Sequence, residues 1–357
     1  MRKIVITVVF LMFFLFVFPS VAMAEDLFGT DELIENLPSE SKDMLEKIGV
    51  YSPEDSVDAD YGNVIEILSD ILSSTYLNPL KIMLLIISIV IVTSFLSSLN
   101  EEENSLTSLA GTLTICIIVI PYLVDLIASV SAVTTSLSVF VLASIPVYAV
   151  LQIASGNPTL SGTFTTISIF SANIFTALCN TVIIPMLSVF LGLSISSCFS
   201  HLNIKSLCQS VYNFLKWVLV TAITLFSSII SMQTSLSVAT DKVTTKTIKI
   251  VAGSTVPIVG TAFGDGIVAV QNSISLLKSG SGAFGILACV CIFLPPIIEL
   301  ILWITSFNMS VIVADFFADK KAKDLIEVFI IVLKILLAIL ISFCVISLVI
   351  SAITIFV

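Results

Sequence analysis

Long apolar runs decide what this chain can become. Leu80–Leu99, Ser105–Ala128, Ser131–Ile153, Phe164–Leu193, Val211–Ser231, Val251–Leu277, Ala283–Phe307 and Leu325–Ile350 are each long enough to cross a bilayer, since a transmembrane helix needs about 20 apolar residues. In lipid the backbone must satisfy its own N–H and C=O groups, which leaves helices and closed barrels. Barrel strands would alternate in polarity, whereas these runs are continuously apolar. The expected fold class is therefore all-α: a polytopic α-helical integral membrane protein with about eight spans. Phe164–Leu193 exceeds one untilted crossing and holds Pro185, so it is expected to kink or split. Composition agrees, with charged residues at 11% of the chain against about 25% in soluble domains.

The net charge of −10 belongs to one place. Glu25–Pro79 holds 14 acids against Lys42 and Lys47, while Leu80–Val357 balances 11 acids with 11 lysines. Ahead of the acidic region, Arg2 and Lys3 precede an apolar core, Ile4–Phe18, and then Ala22-Met23-Ala24. That order predicts a cleavable signal peptide over residues 1–24. The expected organisation is thus 1–24 signal, 25–79 a short acidic exported region, and 80–357 a multi-span membrane domain.

Within the exported region, Ser41–Ile48 followed by Gly49 predicts a brief helix with a glycine stop. Val64, Ile67, Leu68, Ile71 and Leu72 then repeat at helical spacing, with Glu66, Ser69, Asp70 and Ser73 opposite. This amphipathic helix either rests on the bilayer surface or offers a docking face for another exported protein.

The least ordinary chemistry lies in Gln233–Leu277. Lys242, Lys246 and Lys249 share one helical face, which suits a membrane surface. The following apolar run is broken by Gly253, Pro257, Gly260, Gly264 and Gly266, with Asp265 near its middle. An acid inside lipid costs roughly 2.5–3.5 kcal/mol on insertion scales, so Asp265 is either protonated and hydrogen-bonded or faces a conduit or helix contact. Gly260 and Gly264 form a GxxxG step that lets a helix approach closely. If every run crosses, the lysines of Met232–Ile250 and of Ala314–Asp324 (Lys320, Lys321, Lys323) fall together on the inside, as the positive-inside rule favours. The C-terminus is then outside. Asp125 is expected near the end of its span, and Pro295-Pro296 is expected to bend the helix that carries Glu299.

Catalytic patterns are missing. The sequence has no GxxxxGK[ST], HExxH or GxSxG, and its single histidine, His201, excludes a histidine relay. The seven cysteines are scattered singly through apolar runs or their flanks, without metal-ligand spacing, and are expected as small core residues. No enzyme activity, cofactor, metal or nucleic-acid partner is expected, and the lipid bilayer is the one partner composition demands. A secondary transporter or a membrane scaffold without transport activity remain alternatives.

Several segments resemble the stage III sporulation protein AE family of endospore-forming bacteria. They are Gln233–Leu236, Thr244–Lys249, Val256–Gly260, Phe263–Asp265 and Ser275–Lys278 with the glycine-rich residues that follow. The plan of signal, exported amphipathic helix and polytopic body is similar too. The resemblance implies a subunit of the eight-protein stage III sporulation A complex in the mother-cell membrane around the engulfed forespore. It further implies partners that include an ATPase and the forespore's stage II sporulation protein Q, and a transenvelope channel or feeding tube akin to specialised secretion systems.

Overall fold

A computed structural model describes residues 31–52, 55–57, 61–99, 104–155, 157–199, 209–226, 228–229 and 260–356. For 260–279 the description is of the helical backbone. Among the described residues there is no strand. The helices are α1 (Asp31–Glu35), α2 (Ser39–Lys47), α3 (Val64–Thr75), α4 (Leu77–Leu99), α5 (Asn104–Ala154), α6 (Pro158–Ala177), α7 (Ile184–Phe199), α8 (209–226), α9 (Gly260–Phe316) and α10 (Lys320–Phe356). Five helical segments among the described residues are long and apolar enough to cross a membrane, so the chain is a multi-span α-helical membrane protein. The proposed signal peptide, Lys242, Lys246, Lys249 and His201 lie outside the described residues.

Two pairs of expected spans are fused. Ser105–Ala128 and Ser131–Ile153 lie on the single 51-residue helix α5. Residues 260–277 and Ala283–Phe307 likewise lie on the 57-residue α9. Nothing at Ala128–Val130 offers a turn: there is no glycine, proline or charge, so an apolar surround keeps the helix unbroken. At Gly280–Gly282 the turn signal is present but overridden. Ser56 Oγ donates a buried 2.9 Å hydrogen bond to the Gly280 carbonyl, and Ser281, Phe284 and Ile286 are buried. That packing outweighs a glycine cost of about 1 kcal/mol each. Because α9 does not reverse between 277 and 283, counting a separate crossing there does not describe this chain.

Phe164–Leu193 does not split into two crossings. The backbone passes from α6 through a π segment, Leu178–Ile183, into α7 without a turn. Pro185 cannot supply an N–H to the helical ladder, and a wider π turn just ahead of it absorbs the mismatch.

The rods register against one another through side chains. Gly111 of α5 abuts Thr93 of α4, and Tyr122 packs at a tilt against Trp303 of α9, ring centroids 5.5 Å apart. Further along, Tyr148 meets Gly285 of α9 and Phe164 of α6. On α10, Phe329 meets Phe307 and Phe343 meets Phe293, while Phe343 also stacks on Phe175 at 5.3 Å. The result is an antiparallel α9–α10 hairpin with α5 and α6–α7 laid along it, zipped by aromatic rings.

The hairpin turn is built by its own caps. Asp319 N–H bonds to the Ala314 carbonyl and Ala318 N–H to that of Asp315, a Schellman stop with Ala318 at φ 55 in place of glycine. Asp319 Oδ1 then caps α10 by accepting from Ala322 N–H, and also accepts from Ser108 Oγ at 3.0 Å. Thus the start of α5 lies at the turn end. Lys323 pairs with Asp315 across the same turn at 2.5 Å.

At the other end sits the acidic region. Its α2 stops as expected: Val50 N–H reaches the Leu45 carbonyl and Gly49 N–H that of Glu46, with Gly49 at φ 78. Leu33, Leu37, Met44, Leu45, Ile48 and Val50 are buried and join the core of the whole molecule. Lys47 bonds to Asp70 at 2.6 Å and to the Asn63 amide through its carbonyl, tying α2 to α3.

Candidate functional site

Each proposed site residue has a definite place or lies outside the described residues. Gly260, Gly264, Asp265 and Gly266 fall in the first two turns of α9. That helix is continuous with the rod carrying Gly280–Phe316, so the four form its leading end. The lysine face at Lys242, Lys246 and Lys249 lies outside the described residues.

The expected span of the amphipathic helix agrees with α3, and hydrogen bonds from Tyr76 N–H to Leu72 and from Leu80 N–H to Tyr76 carry it into α4 almost without interruption. Ile67 is buried, and Val64 and Ile71 are half-buried against the core. Much of the apolar face is therefore turned onto the bundle itself. Ile65 at 79% exposed, Leu68 and Leu72 form an outer flank that faces away. Sequence periodicity found the apolar face but could not tell which part the chain would use internally.

Polar chemistry inside the bundle is sparse and local. Asn180, on the π segment, accepts from Ser131 Oγ at 3.0 Å and donates to Thr135 Oγ1 at 3.1 Å, pinning α5 to the α6–α7 rod at mid-height. Hydroxyls elsewhere mostly bond back to their own helix, as Thr134 to Val130, Ser144 to Phe140 and Thr305 to Ile301. That habit satisfies serine and threonine without a partner helix, so small residues can line close contacts such as Gly111–Thr93. Gln152 is fully buried and neither amide atom has a hydrogen-bond partner. Cys116, Cys179, Cys289 and Cys291 are buried and Cys344 is half-buried, and none of the five forms a disulfide. No group of three or more metal-ligating side chains occurs among the described residues.

Charged residues on the rods fall at one height, which sequence order conceals. The Tyr122–Trp303 contact places Asp125 level with Glu299, one helical turn further along each rod. The Phe307–Phe329 and Phe293–Phe343 contacts bracket Lys334 at nearly the same level. Lys81 lies about as far from Thr93 as Asp125 does from Gly111, the residue Thr93 touches. Lys81, Asp125 and Lys334 are exposed and Glu299 is half-buried. Asp125, expected near the end of a span, does not end a helix: it lies within α5, which runs on to Ala154. The signal that would have found this plane is the shared register of α4, α5, α9 and α10, which no local pattern encodes.

Residues 44–357 match the family described as Stage III sporulation protein AE. A curated relative, "Stage III sporulation protein AE" of Bacillus subtilis (strain 168), is 28% identical over 163 residues. That match covers 45% of this chain and 41% of the relative, so the matched part spans about two fifths of the relative's length. No solved structure matches.

Proposed function

Because this chain belongs to the stage III sporulation protein AE family, we propose that it is the polytopic subunit of the stage III sporulation A complex in the mother-cell membrane around the forespore. In this reading the complex, together with stage II sporulation protein Q from the forespore, forms a channel across the intervening envelope that sustains forespore development after engulfment. The family match over residues 44–357 carries the reading. It takes in the bundle and the acidic segment packed on its end as one unit, which suits a subunit that faces both lipid and exported partners.

The sequence holds no phosphate-binding loop, and in this reading an ATPase partner of the complex supplies the energy. The leading end of α9, with Gly260, Gly264, Asp265 and Gly266, is proposed as conduit wall or helix contact; the Lys242, Lys246 and Lys249 face is proposed to lie on the membrane surface. The exposed flank of α3 is proposed as the docking face for an exported partner.

The test is made in an endospore-forming host whose own copy of the gene is deleted. An affinity-tagged version of this chain is expected to restore spores and to co-purify with the other stage III sporulation A proteins. A tagged chain that restores spores yet purifies alone refutes the subunit reading.

A further inference from the structure

The bundle is too tall for one bilayer. Gly280–Phe316 alone is 37 residues, about 55 Å at 1.5 Å per residue, against a hydrocarbon core of about 30 Å. Apolar side chains are nevertheless exposed over nearly the full height, from Leu106 and Ile117 at one end of α5 to Val150 and Ile153 at the other.

From these heights we infer that hydrocarbon covers only the half of the bundle between the Lys81–Asp125–Glu299–Lys334 plane and the Ala318 turn, and that the other half stands outside it, its apolar flank covered by further copies of this chain.

Three observations set the boundary. The four charges share one height on four different helices, so a bilayer centred on the bundle would hold all of them at its driest depth. On the turn side, α4 past Lys81 carries no charge to its end at Leu99, about 27 Å of helix, which matches the hydrocarbon thickness. Residues 104–124 of α5 are also uncharged, and α4 is the least buried of the long helices, as a lipid-facing rod should be. Asp315 with Lys320, Lys321 and Lys323 marks the far boundary, while Glu327, exposed two turns up α10, stands between the two boundaries as one charge against the four of the plane.

The other half cannot take its place in lipid. Ser56 meets Gly280, and α3 leads into α4 along the same side. The exposed Glu66, Asp70 and Lys47 therefore stand beside the half of α9 between Gly280 and Glu299. Lipid there would have to accommodate these exposed charges while leaving α4 in water.

That half still exposes Val139, Val150 and Ile153 on α5 and Ile169, Phe170 and Ile174 on α6. Ile169, Phe170 and Ile174 line a shallow apolar depression with Asn173 and Ala177. Charge at the plane points to a second copy as the cover. It comprises two lysines and two acids, and none of them ion-pairs with a described residue. A neighbouring copy in the same membrane carries its plane at the same height, so a contact that seals apolar flanks also sets lysines opposite acids.

The test uses the purified full-length chain, reconstituted in phosphatidylcholine–phosphatidylglycerol vesicles, with benzoylphenylalanine placed singly. Phe95 and Ile117 report the lipid-covered half; Val139, Ile169 and Ile174 report the other. Ultraviolet light is expected to give phospholipid adducts at the first two and dimer-sized products, shared between tagged and untagged copies, at the last three. Lipid adducts at Val139, Ile169 and Ile174 overturn the boundary. Their failure to react with either lipid or protein overturns the second copy as the cover. In a parallel check, Lys334→Glu is expected to lower the dimer yield at Ile169 several-fold at low salt; an unchanged yield overturns the charge plane as what joins the copies.

Discussion

Gly285→Ala tests how tightly three helices close on one point. Gly285 lies on α9 where α5 and α10 meet it, and a methyl group there would collide with the Tyr148 hydroxyl and lie 2.9 Å from Ser351 Oγ. Tyr148 is 1% exposed and Ser351 3%, so neither side chain can swing out without opening the seam. Forcing an extra carbon into a packed core costs about 1–3 kcal/mol, while alanine in place of glycine in a helix gains roughly 1 kcal/mol. The net expectation is a loss of about 0–2 kcal/mol for Gly285→Ala in the native background. Removing the obstacles should change its sign. With Tyr148→Phe and Ser351→Ala together, both polar atoms nearest the new methyl group are gone, and Gly285→Ala should become neutral or stabilising. The coupling, about 1 kcal/mol or more, lies within the range expected for residues in contact. Unfolding in mixed micelles titrated with sodium dodecyl sulfate, followed by tryptophan fluorescence, measures each corner of the cycle. An equal effect of Gly285→Ala in both backgrounds would show that the three helices do not converge there and refute the register of α5 against α9.

Four more expectations follow from other contacts. Asn180→Leu should cost about 1–2 kcal/mol in the same assay, since the bonds to Ser131 and Thr135 average about 0.6 kcal/mol each in membrane proteins; an unchanged midpoint would remove the α5–π link. Ile67→Asp should lower the amount of folded protein even without partners, because Ile67 is buried in the chain's own core, whereas Leu68→Asp should spare folding and reduce only recovery of the assembled complex. The tie between α2 and α3 should weaken in alkali: the Asp70 carboxylate raises the Lys47 pKa above its usual 10.5, so the contribution is whole below that value and lost as pH climbs through the raised one. Limited proteolysis of residues 31–75 should accelerate only above about pH 10.5, and acceleration near neutrality would implicate another group. Asp265→Asn and Asp265→Leu, if the conduit reading holds, should both accumulate normally yet block spores after engulfment; normal sporulation in both would leave Asp265 without a role in transport.

The sequence alone determined that the chain is helical and membrane-embedded, because continuous apolar runs have few other ways to satisfy a backbone in lipid. It also placed the α2 stop at Gly49 and the amphipathic period of α3, since both are local: one needs a residue that tolerates positive φ, the other a repeat of 3.6. What it could not determine was whether neighbouring apolar runs turn back or continue. Ala128–Val130 continues for want of any breaker, but Gly280–Gly282 continues despite two glycines, because Ser56, 224 residues earlier in the chain, bonds to the Gly280 carbonyl. The same holds for Ile67, whose inward role depends on the tertiary core it joins. Lys81, Asp125, Glu299 and Lys334 each read in sequence as an isolated charge in or beside an apolar run. Only the tertiary register of four helices brings them to one height, since that register is set by contacts such as Tyr122 with Trp303 and Phe293 with Phe343, which join residues between 50 and 181 positions apart.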